Sequence, residues 1–212
     1  MDLHNIRETY KFDSLLESKL EEDPIAQFTS WFESYSALGI KDSNAMAIAT
    51  VDSQGIPNNR IVLLKSVEEG AFIFFTNYGS KKGRDLDQNP HISALFFWRE
   101  QERQVRIEGT VKKLPVDKSK AYFATRPYLS QIGAAASDQS QPIANRAALE
   151  TKFNDFQAIH PEGGAVPMPK AWGGYAITPL KFEFWQGREG RLHDRIIYER
   201  EGEQWRTTRL QP

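Results

Sequence analysis

Cysteine is absent from the 212-residue chain, and its absence excludes several kinds of chemistry at once. Without thiols there is no disulfide framework, no thiolate metal site and no cysteine nucleophile. The four histidines are scattered and no HExxH motif occurs, so we expect no metal site. A chain without cysteine also suits a reducing compartment, and we expect a cytoplasmic protein.

An excess of charge of one sign is also lacking, because 27 Lys and Arg residues face 28 Asp and Glu residues, a formal net charge of −1. A general nucleic-acid binder carries a broad basic excess, so no nucleic-acid partner is expected and any anion site must be a local cluster. No apolar run approaches the ~20 residues that cross a bilayer, and the first residues do not resemble a signal peptide. We therefore expect no membrane association.

Three common motifs are missing as well. The chain has no GxGxxG after a strand, no GxxxxGK[ST] and no GxSxG. These absences argue against a Rossmann dinucleotide site, a P-loop and a hydrolase nucleophile elbow. The hydrophobic content of 40%, with 12% aromatic residues, is that of a globular protein long enough to bury a core.

The apolar pattern predicts an α+β, mainly β chain. Asp23-Pro24 is a helix start, and aromatic residues follow at helical spacing up to Tyr35. Short β-rich runs separated by turns then predict strands at Ala45–Val51, Arg60–Lys65, Ala71–Thr76, His91–Trp98 and Arg103–Leu114. Helices are predicted at 116–126 and 145–159, a loop at Ser130–Ser140, and closing strands at 172–177, 181–186, 195–199 and 204–209. Hairpin-length links favour an antiparallel sheet closed into a barrel.

Residues 1–22 are polar and charged, which is typical of a mobile arm or a short helix. We expect residues 23–212 to form a single domain, because strands resume after the Gly- and Pro-rich stretch at 163–169. No internal repeat is present.

Two cationic clusters have the size of a phosphate site. Ser80-Lys81-Lys82-Gly83-Arg84 follows a predicted strand, and Tyr122 lies four residues before Arg126 on one helix face, with Ser130 beyond Pro127. Solvated loops and helix surfaces also carry such residues, so both interpretations remain open on spacing alone. Arg60 and Lys65 bracket one strand, but their odd offset predicts opposite faces unless a bulge intervenes.

A third candidate is the turn after the predicted strand 181–186. Gly187 and Gly190 bracket a reversal from which Arg191, His193 and Arg195 emerge, with Trp185 as a neighbouring aromatic wall. The set fits either a solvated hairpin or a rigid anion site.

Taken together, the motifs resemble the pyridoxine/pyridoxamine 5′-phosphate oxidase family over nearly the whole chain. The matching stretches are Arg60-Ile-Val-Leu-Leu-Lys65, Phe75-Thr-Asn77 with Ser80-Lys-Lys82, Glu102-Arg-Gln-Val-Arg106, Tyr122-Phe-Ala-Thr-Arg-Pro127, Ser130-Gln-Ile-Gly133, Gln139-Ser140, Trp172-Gly-Gly174, Glu183-Phe-Trp-Gln-Gly187, Arg191-Leu-His-Asp-Arg195 and Arg209-Leu-Gln-Pro212.

The resemblance implies a homodimer of FMN-binding split β-barrels, Greek-key-like and with flanking helices, whose active sites lie at the subunit interface. It implies FMN contacts from Arg60, Ile61, Val62, Leu63, Leu64, Lys65, Phe75, Thr76, Lys81, Lys82, Gln104, Gln139, Ser140, Trp185 and Arg195. It implies substrate contacts from Lys65, Tyr122, Arg126, Ser130, Arg191, Leu192 and His193, with Arg7 and Tyr10 on an N-terminal lid.

The implied activity is oxidation of pyridoxine or pyridoxamine 5′-phosphate to pyridoxal 5′-phosphate, with O₂ reduced to H₂O₂. Arg191 would cover the substrate ring and His193 would orient the pyridine edge or the substrate oxygen. Phe75, Lys81 and Ala135 stand where Tyr, Arg and Trp are common in the family; Lys81 would replace a bidentate phosphate contact by a point charge. The alternatives are a non-catalytic split-barrel protein that binds FMN or pyridoxal phosphate, and a flavin reductase with another substrate.

Overall fold

The computed structural model describes residues 1–5 and 8–212, in which five α-helices surround one nine-stranded antiparallel sheet. The helices are α1 (Pro24–Ser36), α2 (Lys81–Gln88), α3 (Val116–Thr125), α4 (Tyr128–Ala136) and α5 (Arg146–Ile159). The strands are β1 (Ala45–Val51), β2 (Pro57–Leu63), β3 (Ser66–Glu68), β4 (Ala71–Asn77), β5 (His91–Trp98), β6 (Arg103–Lys113), β7 (Trp172–Gln186), β8 (Asp194–Glu201) and β9 (Gln204–Leu210).

The sheet curls because its two ends are neighbours in the chain. The strand order is β2-β1-β5-β6-β7-β4-β3, so the path begins with β2 and ends with β3. Only Leu64 and Lys65 separate these two strands, and two residues span too little distance to bridge a flat sheet. The path must therefore bend back on itself, which gives the barrel-like form predicted from the sequence.

Strand β7 belongs to both parts of the sheet. Its first half pairs with β4, from Trp172 to Ile177, and its second half pairs with β8, from Lys181 to Gln186. Strand β6 pairs with β7 from Tyr175 to Gln186 and so bridges the two halves, with a register shift at Glu108/Gly109. This continuous pairing explains why 172–177 and 181–186, predicted as two strands, form one.

The core is aromatic and is closed by α1. Asp23 caps this helix by accepting a hydrogen bond from the Ile25 amide at 3.0 Å. Phe28, on its buried face, packs edge-on against Phe72 at 4.8 Å and against Phe96 at 4.9 Å. The helical spacing of the aromatics in α1 therefore predicted its buried face correctly.

The loop predicted at 130–140 is wrong, and the surroundings of Lys81 and Lys82, which the sequence left open, are those of a helix. The predicted loop 130–140 is largely the helix α4, because Ala134, Ala135 and Ala136 favour a helix and Ile132 supplies a fully buried contact. Lys81 and Lys82 lie in the first turn of α2 and not in a solvated loop, since Ser80 caps that helix by accepting a hydrogen bond from the Gly83 amide.

None of the helices in the described ranges combines the length and the apolar character required to cross a bilayer. The same residues contain no cluster of three or more His, Cys, Asp or Glu side chains that could hold a metal ion.

The bulge at Gly109 gives a prediction for stability. A Cβ on Gly109 would press against the carbonyl of Thr178 and lie 3.2 Å from Cα of Pro179, both backbone groups of the paired strand. We expect Gly109→Ala to lower the free energy of unfolding by about 1–3 kcal/mol, since a methyl group is forced into a filled space. Urea denaturation measures this change.

Gly133→Ala is the matched control. Its Cβ would meet only a side-chain atom of Phe153 at 3.7 Å, and alanine is favoured within a helix. An equal loss of stability in both variants would contradict the role given to the bulge.

Candidate active site

One cavity of about 980 Å³ collects most of the predicted site residues. It lies between β2, the end of β4, the start of α2, the helices α3 and α4, and the start of β7. The predicted residues that line it are Arg60, Ile61, Val62, Leu63, Lys65, Phe75, Thr76, Lys81, Lys82, Tyr122, Arg126, Ser130, Gln139 and Ser140. Leu64 is buried and does not line it.

Arg60 and Lys65 both line the cavity, and they do not lie in one strand as predicted. The alternation of side chains holds only within a strand, and β2 ends at Leu63. Lys65 lies in the two-residue link to β3, where its amide bonds the Ile73 carbonyl at 2.8 Å.

Lys82 is a buried cation held only by neutral groups. The residue is 8% exposed, and its ammonium donates to Thr76 Oγ1 at 2.9 Å, to Ser80 Oγ at 3.1 Å and to Gln139 Oε1 at 2.8 Å. Burial, with a smaller effect from nearby Arg60, lowers the pKa of Lys82 to about 8. No carboxylate of residues 1–5 and 8–212 forms a salt bridge with it, so its charge is available to an anion in the cavity.

Lys81 has the opposite surroundings. Its ammonium lies 2.7 Å from Asp85 Oδ1 and 3.1 Å from Asp52 Oδ2, and these hydrogen bonds raise its pKa. Lys81 also lines the cavity, but two carboxylates already balance its charge.

Arg126 provides a second cation, half-buried at the end of α3. Burial lowers its pKa, and its guanidinium stacks over the Trp172 ring at 4.9 Å. Its buried NH1 has no hydrogen-bond partner within the described part of the chain. A buried donor without an acceptor is costly, so this atom marks a place where an anionic ligand would be stabilised.

Tyr122 lies beside this cation on an aromatic stack. Its ring is 3.9 Å from the Phe75 ring and nearly parallel to it, and Phe75 in turn stacks on Trp172. The predicted cluster of Tyr122, Arg126 and Ser130 is therefore assembled on one wall of the cavity, with aromatic faces suited to a flat ring.

The remaining predicted residues form a separate group, the C-terminal turn cluster: Gln104, Trp185, Arg191, Leu192, His193 and Arg195. Trp185 pairs with Gln104 on one side and with Arg195 on the other, so three strands carry the cluster. The His193 ring lies 4.7 Å from the Trp185 ring. Arg195 is held by Glu183 through hydrogen bonds of 2.9 Å and 3.1 Å, which raise its pKa.

His193 is held as a neutral base. The Arg188 amide donates to its Nδ1 at 3.1 Å, so the proton of the neutral ring lies on Nε2. Burial first, and then nearby Arg191, lowers the pKa of His193. Arg191 has a φ of 63°, a left-handed backbone that is strained for a residue with a side chain and is often found at functional positions.

The N-terminal segment lies over this cluster. The Tyr10 ring is 5.8 Å from the Trp185 ring and 5.6 Å from the His193 ring. Asp13 anchors the segment by a salt bridge of 2.9 Å to Arg103. The predicted lid residue Arg7 lies outside the described residues.

Within one protomer, the cavity and the turn cluster lie far apart. Trp172 lines the cavity at the first residue of β7, and Trp185 lies at the fourteenth. At ~3.3 Å per residue, these two side chains are separated by about 40 Å along the strand. None of the turn-cluster residues lines the cavity.

Sequence reasoning did not select several residues of the cavity as site residues: Asn77, Thr125, Pro127, Gly133, Ala134, Ser137 and Trp172. Trp172 had a detectable signal, because it is a large aromatic at the first residue of a strand that follows a Gly- and Pro-rich stretch. The others are small or polar and have no distinguishing spacing.

Comparison with known proteins gives the family. The family model described as pyridoxamine 5′-phosphate oxidase matches residues 33–160, and the one described as pyridoxine 5′-phosphate oxidase C-terminal dimerisation region matches residues 172–212. The chain belongs to the pyridoxamine 5′-phosphate oxidase family. Residues 33–160, which match the first oxidase model, include most of the residues that line the cavity. Residues 172–212, which match the second, include Trp172 and most of the turn cluster.

The relatives of this oxidase-family chain match it over its full length. The pyridoxine/pyridoxamine 5′-phosphate oxidase of Haemophilus influenzae is 50% identical over 212 residues, covering 100% of both chains. That of Leptospira biflexa is 48% identical, covering 100% of this chain and 99% of its own. The crystal structure of PhzG from Burkholderia lata, in complex with tetrahydrophenazine-1-carboxylic acid, superposes with a TM-score of 0.88 at 31% identity, covering 94% and 98% of the two chains.

The pKa of Lys82 predicts a pH dependence of stability. Between about pH 8 and pH 10.5 this amine is neutral in the folded chain but protonated in the unfolded chain. The unfolded state then binds more protons, so this group makes the free energy of unfolding rise with pH across that window. In urea denaturation of the ligand-free protein, we expect the free energy of unfolding of the wild type to rise by about 3 kcal/mol relative to that of Lys82→Met between these pH values.

Lys81→Met is the matched control, since the pKa of Lys81 is raised and not lowered. The wild type should gain nothing over this variant in the same window. If the difference in free energy of unfolding between the wild type and Lys82→Met did not change with pH, Lys82 would not be desolvated in the folded chain.

Proposed function

We propose that this chain is an FMN-dependent oxidase that converts pyridoxine 5′-phosphate and pyridoxamine 5′-phosphate to pyridoxal 5′-phosphate and reduces O₂ to H₂O₂. The observation that carries the proposal is the cavity itself, which holds two cations without a carboxylate partner among the described residues, the buried Lys82 and the half-buried Arg126. A phosphorylated cofactor and a phosphorylated substrate would occupy one cation each. Full-length relatives with this activity in their names support the same choice.

The residues of the cavity fit FMN. Lys82 and Arg60 would hold its phosphate, with Lys81 at the rim, and Gln139 would contact it from the loop after α4. The backbone of residues 61–64 and the aromatic face of Phe75 would lie along the rest of the molecule. The chemistry that FMN supplies when bound is acceptance of a hydride from C4′ of the substrate and return of the electrons to O₂.

The substrate phosphate would lie on Arg126, Tyr122 and Ser130. Arg126 NH1 would gain the acceptor that it lacks within the described chain. Arg191 would cover the substrate ring and hold C4′ in place, a positioning contribution to the rate. His193 would use its Nε2–H to orient the pyridine edge or the substrate oxygen, because its Nδ1 already accepts from the backbone.

We further propose that two copies form a homodimer in which the turn cluster of one protomer completes the cavity of the other. About 40 Å of strand separates these groups within one chain, so Arg191 and Arg126 cannot contact one substrate molecule there. The C-terminal match to a dimerisation region supports this assembly. In the dimer, Tyr10 would cover the site as a lid, and residues 23–212 would act as one domain. We propose the cytoplasm as its location, which suits a chain without cysteine.

The visible spectrum of the purified protein tests the proposed reaction. We expect a bound flavin whose absorption bleaches when pyridoxine 5′-phosphate is added without oxygen, and returns in air with formation of pyridoxal 5′-phosphate. The flavin band would report the transfer of a hydride from C4′ of the substrate. Unphosphorylated pyridoxine is the control and should bleach the band far more slowly, because Arg126 then gains no acceptor.

A flavin that binds but does not bleach would favour the non-catalytic binding protein or another substrate. A protein that cannot be reconstituted with FMN would contradict the cofactor.

Mixing two inactive variants tests the shared site. We expect Arg126→Ala to raise KM for the phosphorylated substrate strongly and Arg191→Ala to lower kcat/KM, each with FMN still bound. In a heterodimer of the two, one site combines both substitutions and the other has neither. Random re-association should therefore restore about a quarter of the wild-type activity.

Each variant refolded alone is the control. If both residues served a site within one chain, every site in the mixture would lack one arginine and no activity would return.

A further inference from the structure

A buried carboxylate lies behind the predicted phosphate site. Asp85, on α2, is 2% exposed and uses both of its oxygens. Oδ1 accepts from Lys81 Nζ at 2.7 Å, and Oδ2 accepts from Thr50 Oγ1 at 2.8 Å. Thr50, on β1 and fully buried, is in turn 2.8 Å from Arg60 NH1.

The hydrogen bonds that link Arg60, Thr50 and Asp85 have a fixed donor-to-acceptor direction. An ionised carboxylate can only accept, and a threonine hydroxyl has a single hydrogen to donate. Thr50 must give that hydrogen to Asp85, which turns a lone pair of its oxygen toward Arg60. Asp85 therefore determines how Thr50 is oriented and, through it, where the Arg60 guanidinium lies.

Arg60 has donors left for a ligand. Within residues 1–5 and 8–212, the bond from NH1 to Thr50 is the one hydrogen bond of its side chain, and the residue lines the cavity near Lys82. Burial lowers its pKa, an effect that Asp85 partly opposes. A guanidinium fixed by one bond presents its remaining donors at lower entropic cost.

A carboxylate beside an anion site is unfavourable on charge alone. Asp85 repels a phosphate, so its removal should strengthen phosphate binding if it has no other role. Its burial and its two short hydrogen bonds indicate that it is part of the site's construction.

Given the FMN site proposed above, we propose that Asp85 is a positioning residue that orients the Arg60 guanidinium, through the Thr50 hydroxyl, toward the FMN phosphate. In Asp85→Asn the amide can donate to Thr50, and the hydroxyl can then turn its hydrogen toward Arg60. Two donors would face each other, and Arg60 would lose its fixed orientation.

The test compares FMN with riboflavin, the same flavin without its phosphate, by titration of flavin fluorescence against the ligand-free protein. The ratio of the two Kd values isolates the phosphate contribution. We expect Asp85→Asn to reduce the preference for FMN roughly tenfold, the loss of one hydrogen bond to a charged group. General destabilisation would weaken both flavins alike and leave the ratio unchanged.

Asp52→Asn is the matched control. Asp52 is the other carboxylate on Lys81, at 3.1 Å, and its removal changes the charge by the same amount without touching Thr50. We expect this variant to keep or increase the preference for FMN. A preference that also rises in Asp85→Asn would overturn the proposal, because charge alone would then explain both variants.

Variants of Thr50 keep the test decisive if Asp85→Asn does not fold. Thr50→Val retains the branched shape in β1 but removes the hydroxyl, and should reduce the preference for FMN as Asp85→Asn does. Thr50→Ser retains the hydroxyl and should therefore retain the preference for FMN. Because the two residues act in series, the double variant should lose no more than either single one.

The outcomes separate this inference from the proposed function. Wild-type protein that binds neither flavin contradicts the FMN site itself. Wild-type protein that prefers FMN, together with an undiminished preference in Asp85→Asn and Thr50→Val, contradicts only the positioning role.

Discussion

The pairing of β7 is the constraint on which the rest of the structure depends. One edge of this fifteen-residue strand is covered by β6 from Tyr175 to its end, and the other is divided between β4 and β8. The division places Trp172 beside the cavity and Trp185 beside the C-terminal turn, with a rigid ladder between them. Hydrogen bonds along both edges prevent the strand from folding back, so the residues that the proposed chemistry needs together stay apart within one protomer.

The cavity is built at a cost that a ligand can offset. Lys82 is buried and Arg126 is half-buried, and desolvation lowers the pKa of each. Lys82 is surrounded by hydroxyl and amide oxygens, and Arg126 by aromatic faces. Neutral neighbours of this kind hold a cation in place without cancelling its charge, unlike the carboxylates that hold Lys81 and Arg195. The contrast separates cations whose charge has no carboxylate partner among the described residues from cations whose charge a carboxylate already balances.

The sequence predicted most elements because their patterns are local. The ends of β1 and β5 and the N-cap of α1 follow from alternation and capping within a few residues. The loop predicted at 130–140 failed because small residues suit both a turn and a helix, and the contact that decides, through Ile132, is tertiary. The strand predicted at Arg60–Lys65 is two residues too long, because β2 ends at Leu63 and Lys65 lies in the link to β3. The resemblance located most of the cavity, yet no pattern links Thr50 to Asp85, thirty-five residues later.

The residues of the C-terminal turn differ in how strongly their neighbours restrain them. Spacing alone marked Arg191, His193 and Arg195 as equal candidates, but the structure gives them different freedom. Arg195 is bound to Glu183, His193 is oriented by a backbone amide, and Arg191 is exposed on a strained, left-handed backbone. A residue held in an unfavourable conformation while its side chain faces solvent gains nothing for its own fold. In the proposed dimer a second protomer would present a ligand for the guanidinium to cover, so Arg191 is the member of the turn whose proposed role depends most on assembly.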